Sequence, residues 1–268
     1  MKRVEIINSF PLEIIDIGNE NINKKNNNCI SSKIVDDYFI KVLDRQKIEK
    51  LYSGDYFYLW HLYYEEIIKY VNLNKIFGLV ETSDGKFVEI QRRISREKIF
   101  DIGSCNIKQF DEMLTLYKTI LDYIDKLLAA RKTDKLLGLE SAIWNFSSDG
   151  NLFDIDPPRI LMADSDTSFT RKDNLEHITV TKYRNFDKIG MRLNLLATFL
   201  LSIKDKNFII ENLPENYFTI LLKELNAFLN KDDQKKIIEA IGNDDQNLYN
   251  SHPVKVIKKL YKGEMKNG

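Results

Sequence analysis

The stretch from Gln109 to Lys135, QFDEMLTLYKTILDYIDKLLAARKTDK, limits the possible folds of this chain more than any other. Met113, Leu116, Ile120, Ile124, Leu127 and Leu128 recur at helical spacing, with Tyr117 and Leu121 on the flank of the stripe. A helix that long must bury its apolar face, and the residues around it show against what. Before it the pattern is mostly strand-like: RVEII, LEIIDIG, CISSKIV and DYFIKVL all fall within residues 1–45. The run NENINKKNNN (19–28) reads as a loop of turn formers. A helical region over 46–73 follows, broken at Ser53-Gly54, with Asp55 as the expected N-cap of its second part. In that part His61 falls within the aromatic stripe YFYLWHLYY and is expected to pack in the core. The segment IFGLVETSDGKFVEIQRRI (76–94) alternates apolar and polar residues about Asp84-Gly85, which predicts a hairpin.

After the long helix comes a second hairpin, GLESAIWNFSSDGNLFDIDPPR (138–159), and then helices over 186–204, 214–230, 232–241 and 252–263. The expected class is therefore α+β: a small antiparallel sheet carrying one helix (1–94), then a mainly helical part (95–268) with a hairpin near its start. At 268 residues the chain is long enough for one large domain or two lobes.

Forty basic residues balance forty acidic ones, so no overall basic field recruits nucleic acid or a membrane surface. Two cysteines and three scattered histidines match neither a disulfide framework nor a zinc site. The opening MKRVEIINSFPLEII lacks a sustained apolar run and a small-residue cleavage site. No window approaches the ~18 apolar residues of a membrane span. The expectation is a soluble, cytoplasmic protein.

The order of elements, together with a few residues, resembles the protein-kinase-like fold, and its small-molecule branch of aminoglycoside and choline phosphotransferases more than protein kinases. Glu140 stands five positions before Asn145 in the loop after the long helix, and Asp156 follows the hairpin. Lys41 lies within the apolar strand YFIKV, while Glu65 and Glu66 lie on the helix that follows the early strands. The resemblance implies that Glu140 positions or deprotonates an acceptor hydroxyl, and that Asn145 and Asp156 hold Mg²⁺. It further implies that Lys41, oriented by Glu65 or Glu66, binds phosphates, and that the backbone of 89–93, with Glu89 and Gln91, forms a hinge that reads the base. Asp187 matches a structural Asp at the start of a central helix.

The cofactors implied are ATP (or GTP) and Mg²⁺, and the partner is a small hydroxylated acceptor. Three departures stand out. Glu replaces the family's Asp at 140, which moves the carboxylate by ~1.5 Å. No Gly-rich phosphate loop is present, and Pro157-Pro158 replaces the Phe-Gly that follows the metal-binding Asp. A pseudokinase, binding nucleotide or a partner with little or no phosphoryl transfer, is the alternative. Taken singly, each residue has a plain reading too. Asp156 suits a Pro-Pro turn, Asn145 a buried turn, Glu140 a surface carboxylate, Lys41 a half-exposed strand, and Glu65 or Glu66 a polar helix face. On those readings the chain is an unrelated α+β protein.

Overall fold

The alternating segments form one five-stranded antiparallel sheet in the computed structural model, which describes residues 3–5, 29–51, 55–82, 85–131, 135–153, 160–162 and 185–204. Asp156, Pro157-Pro158, the expected strand 12–18, the loop 19–28 and the three helices expected beyond 213 lie outside those residues. The strands are β1 (Arg3–Glu5), β2 (Cys29–Val35), β3 (Tyr38–Leu43), β4 (Ile76–Glu81) and β5 (Phe87–Arg92). Their order is β1-β4-β5-β3-β2, so the first strand lies at the edge farthest from the second.

Two tight turns set the registers. Between β2 and β3 the chain turns at Asp36, whose φ of 49° is tolerated by Asp better than by most side chains. Between β4 and β5, Gly85 takes φ 79° and the Thr82 N–H donates to Lys86 O. Glycine is the residue that adopts that φ without strain.

Helix α1 (Arg45–Leu51) precedes α2 (Tyr56–Ile67), and the break expected at Ser53-Gly54 lies outside the described residues. Asp55 caps α2 as expected, its carboxylate accepting from the Phe57 and Tyr58 amides. Tyr56, Phe57, Leu59, Trp60 and Tyr63 form its buried face. His61 does not join them. It is exposed, 3.8 Å from Glu65, because its side of the helix faces away from the core.

The long helix α3 (Phe110–Ala129) buries Met113, Leu116, Ile120, Ile124 and Leu127, and Leu128 packs against the core edge. Tyr117 and Leu121 are as buried as the stripe itself, because the next helix packs over that flank, with Tyr117 against Phe199. The helix stops at Ala129, short of the expected Lys135, where its apolar stripe runs out. Residues Lys135–Leu137 form instead a short strand, β6, paired antiparallel with β7 (Ile160–Met162). Helix α4 (Lys188–Ser202) follows, with Asp187 accepting from the Gly190 amide at its start.

A single cluster of buried side chains runs from Leu43, Leu79 and Phe87 on the sheet through α2 to α3 and α4. The opposite sheet face carries a smaller cluster of Ile40, Val80, Val88 and Ile90. None of the described helices is long and apolar enough to cross a membrane.

Candidate functional site

The loop from Gly138 to Asn145 is fixed at almost every residue. Gly138 lies against Asn185 and Phe186 so closely that a Cβ there would come within 2.5 Å of Asn185 O. Only glycine fits. The Tyr63 hydroxyl of α2 donates to Gly138 O at 3.0 Å, and the Leu139 amide donates to Asn185 O at 2.8 Å. Beyond Glu140, Ser141 Oγ donates to Met191 O at 2.6 Å and receives Asn194 Nδ2 at 3.4 Å. The Ile143 amide donates to Thr198 Oγ1 at 3.0 Å. Glu140 is half-exposed while Gly138, Leu139, Ser141, Ala142 and Ile143 are buried. Glu140 is thus the one residue of that run that is not buried, and it is carried on a braced backbone.

Asn145 ends the single helical turn Ile143–Asn145 and is itself buried. Its Nδ2 spans the loop back to Glu140 O at 3.4 Å, a weak contact. With the amide nitrogen so directed, the amide oxygen is the atom suited to a hard cation. The Phe153 amide then donates to Asn145 O, and Phe146 pairs with Leu152, so the chain returns beside Asn145 three residues before Asp156.

The hairpin tip is held by Asp149, which accepts from Ser147 Oγ; that hydrogen bond holds its carboxyl below the ordinary range. Leu152 bonds to the segment after α2 through Asn72 O and the Asn74 amide, and Ser148 bonds to Lys98 O after the sheet. The loop is therefore attached to α2, to the segment between α2 and β4, to the segment after β5 and to α4. Among the described residues no three His, Cys, Asp or Glu side chains form a metal-binding group.

The sheet places a second polar group. Register sets Lys41 directly opposite Glu89, and Nζ lies 3.4 Å from Oε1 with the carboxylate fully buried. Strand alternation puts Phe39, Lys41 and Leu43 with Phe87, Glu89 and Gln91 on the face towards the main core. Four of the five residues of the expected hinge lie within β5. Residues 89–92 are the interior and end of β5, paired to β3 on one side and, as far as Gln91, to β4 on the other. Their backbone groups belong to the ladder, and the chain leaves the sheet only at Arg93, whose amide donates to Asp37 O.

On α2, Glu65 is exposed beside His61, whereas Glu66 is mostly buried and reaches Lys69 at 3.1 Å. Glu66 is thus the inward one of the two.

Helix α4 supplies residues that the sequence reading missed. Asn194, Thr198 and Ser202 form a buried polar line at four-residue spacing within an apolar helix. Two of them hold the loop. Arg192, fully buried, pairs with Asp125 of α3 and donates to Lys188 O. The signal was present in LNLLATFLLS, where polar residues every fourth position have no reason to be buried unless something meets them. No protein-family model matches the chain, and neither a curated protein nor a solved structure is significantly similar to it.

Proposed function

We propose that the chain is an ATP- or GTP-dependent phosphotransferase that moves the γ-phosphoryl group to a hydroxyl of a small molecule, with a bilobal, protein-kinase-like arrangement. The observation that carries this is the loop 138–145: the partly exposed Glu140 on a backbone braced from α2 and α4, with Asn145 closing the loop. A carboxylate held that rigidly suits the orientation of an acceptor hydroxyl, since positioning supplies most of the rate in phosphoryl transfer.

Asn145 offers an amide oxygen to Mg²⁺, and Asp156 is assigned as its partner from the sequence alone. Lys41, buried in the sheet, provides the positive charge for phosphates, with Glu66 rather than Glu65 as its helix partner. The neutral net charge favours a small acceptor over nucleic acid, and two buried cysteines outside any disulfide suit the cytoplasm.

A second reading is a nucleotide-binding module with little or no transfer, a pseudokinase. It is favoured by Lys41 being paired across the sheet with Glu89, a partner that competes with phosphate.

Thermal shift with ATP·Mg²⁺ or GTP·Mg²⁺ tests both. Binding at 100 times Kd adds about 2.7 kcal/mol, a rise of several degrees in Tm. Absence of any shift with either nucleotide removes both readings. Glu140→Gln separates them: transferase action predicts at least ~100-fold lower nucleotide turnover at unchanged nucleotide affinity. Turnover that survives the substitution takes Glu140 out of the reaction.

A further inference from the structure

Gln91 is the last residue of β5 on the core-facing side and is 1% exposed. Among the described residues, neither its amide oxygen nor its amide nitrogen has a hydrogen-bond partner. Buried side-chain amides are nearly always paired, and leaving both ends unpaired carries a free-energy penalty that Met or Leu in the same space avoids.

The surroundings point to a ligand rather than to a packing defect. Phe39, directly opposite on β3, is only partly buried, as is Ile94 where the chain leaves the sheet. Arg92 and Arg93 are exposed, so the amide lies just inside the rim of the sheet. One ladder step further in, Lys41 and Glu89 face the same way. The row thus runs from a partly buried aromatic through an amide unpaired among the described residues to an ammonium–carboxylate pair.

Resting on the nucleotide reading, we infer that the Gln91 side chain reads the edge of a purine base at this end of the sheet. A carboxamide presents an acceptor beside a donor in one plane. A purine edge presents the reverse pair, so the two form a bidentate contact, the geometry by which Gln reads adenine. Phe39 offers the ring an apolar surface. Recognition then comes from a side chain, and the connecting backbone at 89–92, committed to the ladder, is not needed for it.

The experiment compares Gln91→Met with wild type by calorimetry against three probes: ATP·Mg²⁺, adenosine and tripolyphosphate·Mg²⁺. The expected result is a loss of about 10–100-fold in affinity for ATP and adenosine, with tripolyphosphate unchanged. The ligand-free Tm of the variant should equal or exceed that of wild type, because the unpaired amide is gone. If the Met variant is unstable, Gln91→Leu provides the same comparison. ATP affinity unchanged in a folded variant overturns the inference and leaves the nucleotide reading intact. Equal losses for ATP and tripolyphosphate overturn it too, since the damage is then not to base recognition. A wild type that binds neither ATP·Mg²⁺ nor GTP·Mg²⁺ in the same calorimeter overturns both.

Discussion

Replacing Lys41 by Met removes the ammonium that faces the buried Glu89 carboxylate across the sheet, and breaking a buried ion pair by deleting one partner is costly. The expected loss is about 3–5 kcal/mol of unfolding free energy, and Lys41→Met with Glu89→Leu should recover most of it. Denaturant titration of the three variants checks this; a double variant no better than the single means the pair is not what Lys41 contributes. Cys105 gives a pH prediction. Burial pushes its thiol up to about 11, so as pH rises the unfolded chain loses this proton before the folded chain does. Stability from this group is complete below the unfolded thiol range near 8.5 and is lost between there and about 11, by ~1.4 kcal/mol per pH unit at the steepest. Cys105→Ala should flatten that part of the stability–pH curve relative to wild type. An identical slope in both proteins rules the thiol out. Both residues show the same limit of sequence reading: Lys41 could be recognised as unusual in an apolar strand, but its neighbour Glu89 is 48 positions away and is chosen by register.

At the scale of elements, α4 matters less for its apolar bulk than for its polar line. Thr198 accepts the Ile143 amide while donating to the carbonyls of its own helix. Thr198→Val keeps the shape and removes the acceptor, leaving a buried N–H unpaired at a cost of about 1–3 kcal/mol. Thr198→Ser should retain most of the stability. Hydrogen exchange at Ile143 is the direct measurement, and it should accelerate in the Val variant only. Protection that stays equal in both would mean the loop is held by its other contacts. Helix α2 was more legible, because Asp55 acts on amides two and three residues away and so its capping is written locally. The end of α3 was misplaced for a local reason as well. The stripe ends at Leu128 and 130–135 carries no breaker to mark the end in sequence, while Lys135 pairs with Met162 in the β6–β7 ladder.

For the molecule as a whole, the single large core makes a prediction about cooperativity. Leu43 and Phe87 on the sheet, Trp60 on α2, Ile120 on α3 and Phe199 on α4 belong to one buried cluster. Ile120→Ala should cost about 2–5 kcal/mol. Helical circular dichroism and tryptophan fluorescence should lose their signals at one shared, lowered denaturant midpoint. Two separated transitions would show that sheet and helices unfold as independent units.

What the sequence determined by itself is chemistry that acts over a few residues: the Asp55 cap, the Gly85 turn, the α3 stripe and the strands that alternate. Hydrogen bonds and side-chain neighbours within one turn or one hairpin depend only on spacing, so spacing reveals them. The tertiary structure decided everything that joins distant positions. It set β1 at the far edge of the sheet, Glu89 opposite Lys41, Gln91 without a partner among the described residues, Gly138 under Asn185 and Thr198 beneath the loop. Those pairings follow from strand register and from which helix faces meet in the core. Both are settled by burial summed over the whole chain, which no local pattern encodes.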